Sequence, residues 1–216
     1  MTTAIENRYE ELAEGACCLS CGTAASQFEP AEGQVCIDLG CGRGTDVVRL
    51  ADKVGPTGKV FGVDLTDAML EKARRTARKL GVTNAIFFRS DLTTIALPDE
   101  STDWVTSNCV LNHVADKPRV WREIARIMKP GAQFVISDIY ATEPISPEDR
   151  ANPEAVAECW AGAVTKDEYL AEVVGAGLVD VQVSEESAPY RKGRATVVSF
   201  TVVGRKPTAA ERTCCG

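Results

Sequence analysis

The sequence predicts an α/β fold, built on a mostly parallel sheet that ends in a carboxyl-terminal antiparallel hairpin. From Val35 onward, short β-branched runs alternate with segments of helical period, which is the pattern of βαβ units. Two strand-like runs near the end of the chain follow each other without a helix between them, as in a hairpin. With 216 residues, 44% of them hydrophobic, the chain is long enough for one domain with a sizeable core.

Seven strands are predicted. The five parallel ones are Val35–Leu39, Lys59–Val63, Ala85–Arg89, Trp104–Asn108 and Ala132–Ser137. The hairpin strands are Val179–Val183 and Ala195–Val203, whose alternating pattern suits the edge of a sheet.

Apolar stripes predict the helices between the strands. One helix starts at Thr66 or Asp67 and stops at Gly81. Another begins after Asp116 and ends at Lys129-Pro130-Gly131, because proline does not continue a helix.

The rest of the chain shows no regular hydrophobic repeat over one long stretch and a helix start after it. Residues 141–164 carry three prolines and no regular pattern, so we expect an insertion or lid there. A capping box at Thr165 and Glu168 starts the next helix. The domain itself is expected over residues 33–205, between a mobile cysteine-bearing segment (1–32) and a disordered cysteine-bearing tail (206–216).

Charge and cysteine content restrict the function. The net charge of −7 repels phosphate backbones and anionic lipid surfaces, so neither nucleic acid nor a membrane is an expected partner. The first residues lack the basic and apolar regions of a signal peptide. Nine cysteines are too few for a disulfide scaffold, and we expect reduced thiols in a cytoplasmic protein.

A glycine-rich loop follows the first strand. Gly40-Cys41-Gly42-Arg43-Gly44 gives a sharp turn and lets a ligand approach the backbone at a helix amino terminus. Position 45 is Thr, so the dinucleotide pattern G-x-G-x-x-G is not met. Asp38, just before the glycines, disfavours a phosphate and suits the ammonium group of an amino-acid ligand.

Acidic residues also follow the next two strands. Asp64 stands where these folds bind ribose hydroxyls, and Asp91-Leu92 could address an adenine amino group. Taken singly, Asp64 and Asp91 could be ordinary polar residues at strand ends. Their joint occurrence with Asp38 and the glycines favours a nucleoside site.

Together, DLGCGRG, GVD and SDL resemble the S-adenosylmethionine-dependent methyltransferases of the Rossmann-like class I over about residues 33–205. The resemblance implies a seven-stranded sheet with a carboxyl-terminal antiparallel hairpin and S-adenosylmethionine as cofactor. It also implies cofactor contacts at Asp38, Gly40, Gly42, Gly44, Asp64, Leu65, Asp91, Leu92 and Asn108.

The acceptor is suggested by the cysteines rather than by a base. The single histidine, His113, lies beside a strand end, where packing is its commoner role. Cys109 ends the fourth strand, Cys159 lies in the lid, and Cys21 precedes the first strand. Three thiolates suit a soft centre such as trivalent arsenic, whose lone pair can attack a sulfonium methyl group with no proton to remove.

The stretches GVDLTDAMLEKAR, SNCVLNHVADKPRVWREIARIMKPGAQFVISDI and AECWAGAVTKDEYLAEVVGAGL are similar to the arsenite S-adenosylmethionine methyltransferases. In that family, three cysteines bind trivalent arsenic, and they carry over to Cys21, Cys109 and Cys159, with Cys18 as the alternative first ligand. His113 stands where the family usually has an apolar residue. The resemblance implies arsenite or its thiol conjugates as substrate, a glutathione or thioredoxin-like reductant, and a role in arsenic detoxification; we expect a monomer.

Two other interpretations remain open. The same fold could methylate another small acceptor, such as a thiol, a quinol or another metalloid. The chain could instead be a non-enzymatic zinc- or arsenic-binding module using Cys17, Cys18 and Cys21 with the tail pair Cys214 and Cys215. Cys36 and Cys41 are assigned to structure.

Overall fold

An eight-stranded sheet forms the centre of the computed structural model, which describes residues 2–13, 24 and 27–213. Its strands in chain order are β1 (Val35–Leu39), β2 (Lys59–Asp64), β3 (Ala85–Arg89), β4 (Thr102–Asn108), β5 (Met128–Ala141), β6 (Val179–Glu186), β7 (Tyr190–Lys192) and β8 (Ala195–Arg205). The order across the sheet is β3-β2-β1-β4-β5-β8-β6, and β7 pairs with β8. Strands β1 to β5 are parallel, and β8 is antiparallel to β5 and β6. The predicted Rossmann-like class I methyltransferase fold is confirmed, and β7 is an eighth strand beyond the seven predicted.

Eight α-helices belong to the described part of the chain. They are α1 (Thr2–Ala13), α2 (Thr45–Val54), α3 (Asp67–Lys79), α4 (Lys117–Ile127), α5 (Pro147–Ala151), α6 (Pro153–Ala157), α7 (Lys166–Gly175) and α8 (Ala209–Thr213). None of these helices is long and apolar enough to cross a bilayer. The predicted caps are present: the Asp116 side chain accepts from the amide of Arg119, and Thr165 and Glu168 form the capping box.

The core on one face of the sheet is aromatic. Trp121 of α4 packs against Phe134 of β5 and Tyr169 of α7, with ring centroids 5.6 Å apart in both pairs. Phe200 of β8 lies 4.8 Å from Tyr169. These fully or nearly fully buried rings fix α4 and α7 on the sheet, and so hold the loops that precede both helices at its carboxyl edge.

The structure adds elements that the sequence analysis did not assign. Helix α1 lies within the segment expected to be mobile, and α5 and α6 lie within the lid. Each lid helix has five residues and starts at a proline, after the capping side chains of Ser146 and Asn152. Helices this short do not complete the two turns that an apolar period needs to be visible in sequence.

The sheet order reverses beside β1, because the chain moves from β1 to β2 and β3 on one side and to β4 and β5 on the other. In such sheets the crevice at the carboxyl end of the switch point is the usual ligand site. The loops after β1 and β4 touch there: a Cβ added at Gly40 would lie 2.3 Å from Cγ2 of Val110. Gly40 has φ +68°, so both conformation and space require glycine.

Candidate active site

A cavity of about 360 Å³ opens at this carboxyl edge, under helix α1. Most of the predicted cofactor residues line it, and so does one predicted arsenic ligand. These are Gly40, Gly42, Asp64, Leu65, Asp91, Leu92, Asn108 and Cys109. Asp38, Gly44 and Cys159 do not line the cavity, and Cys18 and Cys21 lie outside the described residues.

Asp64 is held rigidly at the end of β2. Its Oδ2 accepts the backbone N–H of Gly42 at 2.9 Å, and its Oδ1 accepts that of Thr66 at 2.9 Å. Burial raises the pKa of the carboxyl group, and these amide bonds oppose that shift. A carboxylate has about four acceptor positions on its two oxygens, so Asp64 fits a ligand that presents neighbouring hydroxyl groups, such as a ribose.

Asp38 lies behind the glycine loop rather than on the cavity wall, and it is only 4% exposed. Burial raises its pKa well above the ordinary value, and the negative charges of Asp46 and Asp64 raise it further. A buried group of carboxylates is stabilised by a nearby positive charge. These carboxylates therefore favour a ligand with positively charged groups, such as an ammonium or a sulfonium, over a phosphate.

Gly44 acts through packing. It has φ +78° at the start of α2, and a Cβ there would lie 2.8 Å from Cβ of Ala73 in α3. The glycine lets α2 and α3 approach each other beneath the loop. Its contact with the cofactor stays a prediction.

The far end of the cavity is mixed in polarity. Asp91 lies exposed on the rim, where its Oδ1 accepts from the amide and the hydroxyl of Thr93 at 2.7 and 2.8 Å. Leu92 beside it is 7% exposed. An apolar surface with a polar rim can hold a purine ring.

Cys109 and Cys159 share an uncommon backbone conformation. Their φ angles are +58° and +77°, and the only other described non-glycine residues with positive φ are Glu100 and Asp180. Such conformations cost energy and concentrate at functional sites. The backbone N–H of Cys109 donates to the carbonyl of Ser137 in β5 at 2.9 Å, which fixes the turn directly after β4.

The two cysteines are also in contact, although 50 residues separate them. Sγ of Cys159 lies 3.6 Å from the carbonyl oxygen of Cys109, and both residues belong to one apolar cluster with Ile5 of α1. The lid segment that carries Cys159 therefore lies directly against the end of β4. Two of the predicted arsenic ligands converge.

The states of the thiols differ. Cys159 is a free thiol, 4% exposed, and burial raises its pKa, so it is protonated at neutral pH. Cys109 is disulfide-bonded, which corrects the expectation that every cysteine is a reduced thiol. The other described cysteines, Cys36, Cys41 and Cys159, are free thiols. A disulfide-bonded Cys109 must be reduced before its sulfur can bind another centre.

A glycine contact locks the Cys159 loop in place. A Cβ at Gly162 would lie 1.8 Å from the carbonyl oxygen of Asn112, so no other residue fits without movement. Asn112 is fully buried and donates to Oδ1 of Asp138 at 2.8 Å and to the carbonyl of Ile139 at 2.7 Å. The short 3₁₀ turn Leu111–His113 thus joins the lid to β5.

Three residues with roles at the site were missed or discounted in the sequence. Ile5 and Tyr9 of α1 line the cavity, and so does His113 of the 3₁₀ turn. The signal for α1 was present, because Ile5, Tyr9 and Ala13 are spaced by four residues and form one helical face. No signal in the sequence links His113 to Tyr9.

The other described cysteines, Cys36 and Cys41, are buried. Cys36 is buried in β1, and burial raises its pKa to about 12; Cys41 is buried within the glycine loop. Among the described residues, no group of three His, Cys, Asp or Glu side chains is arranged to hold a metal ion. Cys17, Cys214 and Cys215, like Cys18 and Cys21, lie outside the described part of the chain.

Several known methyltransferases are similar to this chain. A family model described as a methyltransferase domain matches residues 30–177. The arsenite methyltransferase of Halobacterium salinarum is 34% identical over 198 residues, covering 88% of this chain and 51% of that protein. The 2-phytyl-1,4-naphtoquinone methyltransferase of Nostoc punctiforme is 37% identical over 120 residues, covering 55% of this chain and 51% of that protein. The chain thus spans about half the length of these curated relatives.

A solved structure is similar over most of both chains. The crystal structure of an arsenic (III) S-adenosylmethionine methyltransferase from Chlamydomonas reinhardtii superposes with a TM-score of 0.76 at 29% sequence identity. The match covers 93% of this chain and 74% of that one.

Proposed function

Because this chain belongs to the methyltransferase-domain family, we propose that it transfers methyl groups from S-adenosylmethionine to trivalent arsenic held by cysteine sulfurs. The observation that carries the proposal is the contact between Cys109 and Cys159, both in left-handed conformation, at the edge of the cavity. Arsenite methyltransferases among the relatives support the same acceptor. Cys21 is proposed as the third ligand, with Cys18 as its alternative.

The residues proposed to hold the cofactor form a polar rim on an apolar cavity. Asp64 would accept hydrogen bonds from the ribose hydroxyls, and Asp91 and Leu92 would contact the adenine. Asp38, behind the glycine loop, would stabilise the positive charge of the methionine part of the cofactor. Gly40, Gly42, Leu65 and Asn108 contribute the wall. When bound, S-adenosylmethionine supplies an electrophilic sulfonium methyl group.

The protonated state of Cys159 suits arsenite as substrate. Arsenite carries hydroxyl groups, and each As–O bond that breaks can leave as water with the proton of the incoming thiol while an As–S bond forms. The exchange thus releases no net proton and needs no base at the site. Three sulfurs leave arsenic with a lone pair, which is the nucleophile for the methyl group.

Methylation converts arsenic from the trivalent to the pentavalent state, because its lone pair becomes the As–C bond. A return to the trivalent state requires two electrons, for which we propose glutathione or a thioredoxin-like dithiol. The proposal places a monomer in the cytoplasm, with arsenite or its thiol conjugate as substrate and arsenic detoxification as the role.

A quinol or another oxygen acceptor is the second candidate, favoured by the similarity to a naphthoquinone methyltransferase. Oxygen methylation commonly uses a general base. His113 is the histidine at the cavity, but both of its ring nitrogens are engaged in hydrogen bonds, and burial lowers its pKa to about 4. The site is therefore better suited to an acceptor that needs no deprotonation.

The experiment that separates these candidates is a competition among acceptors. The purified chain, reduced with a dithiol, is incubated with S-adenosylmethionine and with arsenite, a naphthoquinol or a simple thiol, and products are identified by mass. Methylated arsenic at a rate well above that of the other acceptors is the expected result. Methylation of the quinol or the thiol, with none of arsenic, would reject arsenic as the acceptor. Zinc in stoichiometric amount, with no methylated product, would favour the binding module.

A further inference from the structure

We propose that His113 is a positioning residue, which fastens helix α1 over the cavity and sets the conformation of the Cys159 turn. The inference rests on the proposed function, since it concerns the position of a proposed arsenic-binding thiol relative to the cofactor cavity. His113 occupies the 3₁₀ turn four residues after Cys109 and lines the cavity. Its imidazole lies between α1 and α6.

The hydrogen bonds of the ring define its tautomer. Nδ1 lies 3.0 Å from the carbonyl oxygen of Val156, and Nε2 lies 2.9 Å from the hydroxyl of Tyr9. A carbonyl oxygen can only accept, so Nδ1 carries the proton and Nε2 accepts from Tyr9. Both nitrogens of the neutral ring are thereby used, one on each helix.

The bond to Val156 reaches Cys159 directly. The same carbonyl oxygen accepts the backbone N–H of Cys159 at 2.9 Å, so His113 fixes the acceptor that closes the turn at the end of α6. Cys159 has φ +77° in this turn, a conformation that surrounding contacts must maintain. Loss of the His113 bond removes one of the two donors to this carbonyl and weakens that constraint.

The bond to Tyr9 reaches the cofactor side. Helix α1 contributes Ile5 and Tyr9 to the cavity lining and is attached on its other flank by the ion pair of Glu6 with Arg89, at 2.5 Å. Arg43 of the glycine loop donates to the carbonyl of Leu12 at the end of the helix. Tyr9 joins α1 to the Cys159 side through a polar contact, because its hydroxyl donates to Nε2 of His113 and the two rings meet edge-on with centroids 5.4 Å apart.

The electrostatic surroundings keep the ring neutral. Burial lowers the pKa of His113 to about 4, and the positive charges of Lys192, Arg8 and Lys117, on β7, α1 and α4, act in the same direction. The two hydrogen bonds therefore persist at neutral pH. His113 serves as a fixed bridge and not as a proton acceptor.

Three substitutions separate the two arms of the bridge. Tyr9→Phe removes only the hydroxyl, and His113→Asn keeps a donor close to the Nδ1 position but loses the acceptor for Tyr9. His113→Leu, the apolar type usual in the resembled family, removes both. Reduced proteins are compared by amide hydrogen exchange and by calorimetric binding of S-adenosylhomocysteine, so neither readout needs turnover or arsenic.

In His113→Leu we expect at least tenfold faster exchange of the amides from Ala157 to Trp160 and severalfold weaker binding of S-adenosylhomocysteine. Tyr9→Phe should weaken binding and speed exchange in α1 while the Cys159 turn stays protected, and His113→Asn should behave in the same way. Lys79→Gln, on the exposed end of α3, is the control and should match the parent. Unchanged exchange and binding in His113→Leu would overturn the inference.

Failure of the proposed function is detected separately. If His113→Leu shows the expected exchange and binding changes but no variant methylates arsenite, the bridge stands and the acceptor is wrong. A folding defect is recognised by thermal unfolding of each variant. If His113→Leu is too unstable to assay, cofactor binding by Tyr9→Phe still tests the bond between Tyr9 and His113. Faster amide exchange in the Cys159 turn of His113→Asn would overturn the role assigned to Nδ1.

Discussion

His113 and Cys159 donate to one acceptor, the carbonyl oxygen of Val156, at 3.0 Å from Nδ1 of the histidine and 2.9 Å from the backbone nitrogen of the cysteine. The element that follows the Cys109 strand end is thereby bonded to the turn that carries Cys159. Together with the 3.6 Å contact between Sγ of Cys159 and the carbonyl of Cys109, this bond makes the two loops one unit. The close approach of Cys159 to Cys109 is therefore a property of the fold.

The first prediction concerns cofactor affinity. Asp64→Ala should weaken S-adenosylmethionine binding by about 1–3 kcal/mol, because the hydrogen bonds proposed for the ribose hydroxyls are lost together with the anchors for the amides of Gly42 and Thr66. Asp52→Ala changes the net charge equally on an exposed surface of α2 and should bind as the parent does. Calorimetric titration measures both, and equal dissociation constants for Asp64→Ala and the parent would count against the assignment.

The second prediction concerns the close approach at Gly162. Gly162→Ala should destabilise the fold by about 1–3 kcal/mol, since its Cβ would meet the carbonyl oxygen of Asn112 at 1.8 Å and force the lid away from the 3₁₀ turn. Gly175→Ala is the matched control, because nothing lies within 4 Å of its Cβ and alanine favours a helix. Urea unfolding should show a loss for the first and no loss for the second. Equal stability of the two variants would mean that the lid contact is not tight.

The third prediction concerns pH. Because the pKa of folded His113 is about 4 and the ordinary value is 6.5, the unfolded chain binds a proton between these limits that the folded chain does not. Stability from this group is therefore present above pH 6.5 and falls as the pH is lowered toward 4, by about 2 kcal/mol at pH 5. His113→Leu lacks this term. Burial raises the pKa of Asp138 to about 6, so its contribution to stability changes with pH in the opposite direction. Asp138 is present in both proteins, and its contribution cancels when the two are compared.

The measurement is urea unfolding of both proteins at pH 8 and pH 5. The parent should lose about 2 kcal/mol more than His113→Leu between the two conditions. Identical pH dependence of the two proteins would show that the ring is not buried as a neutral group.

The sequence predicted the sheet well because parallel strands carry their signal locally. β1 and β3 have the predicted ends. β5 is longer than predicted, Met128–Ala141 rather than Ala132–Ser137, because pairing with β8 extends its carboxyl end to Ala141 and Met128 pairs with Thr102 of β4. The predicted hairpin pair is adjacent in the sheet, but β8 lies inside and β6 at the edge. That arrangement is set by pairing partners distant in sequence.

Site residues that belong to a local sequence motif could be predicted. Site residues that are positioned by packing between distant parts of the chain could not. The convergence of Cys109 and Cys159 was expected from their places at one sheet edge, and the structure brings them into contact. The close packing of Gly44 against Ala73 of α3 was not predicted, because it depends on the approach of two helices. The role of His113 depends on Tyr9 and Val156, which lie 104 and 43 residues away, so no local pattern contained it.

The most direct test of arsenic as the acceptor is a comparison of the parent with Cys109→Ser and Cys159→Ser, and with Cys36→Ala as the control in the buried core. Each reduced protein is given S-adenosylmethionine and arsenite, methylated arsenic is quantified by arsenic-specific chromatography, and cofactor binding is measured in parallel. We predict that both serine variants lose at least 99% of the product while binding the cofactor nearly as tightly as the parent, and that Cys36→Ala remains active. Full methylation of arsenite by either serine variant would contradict the proposed thiol site.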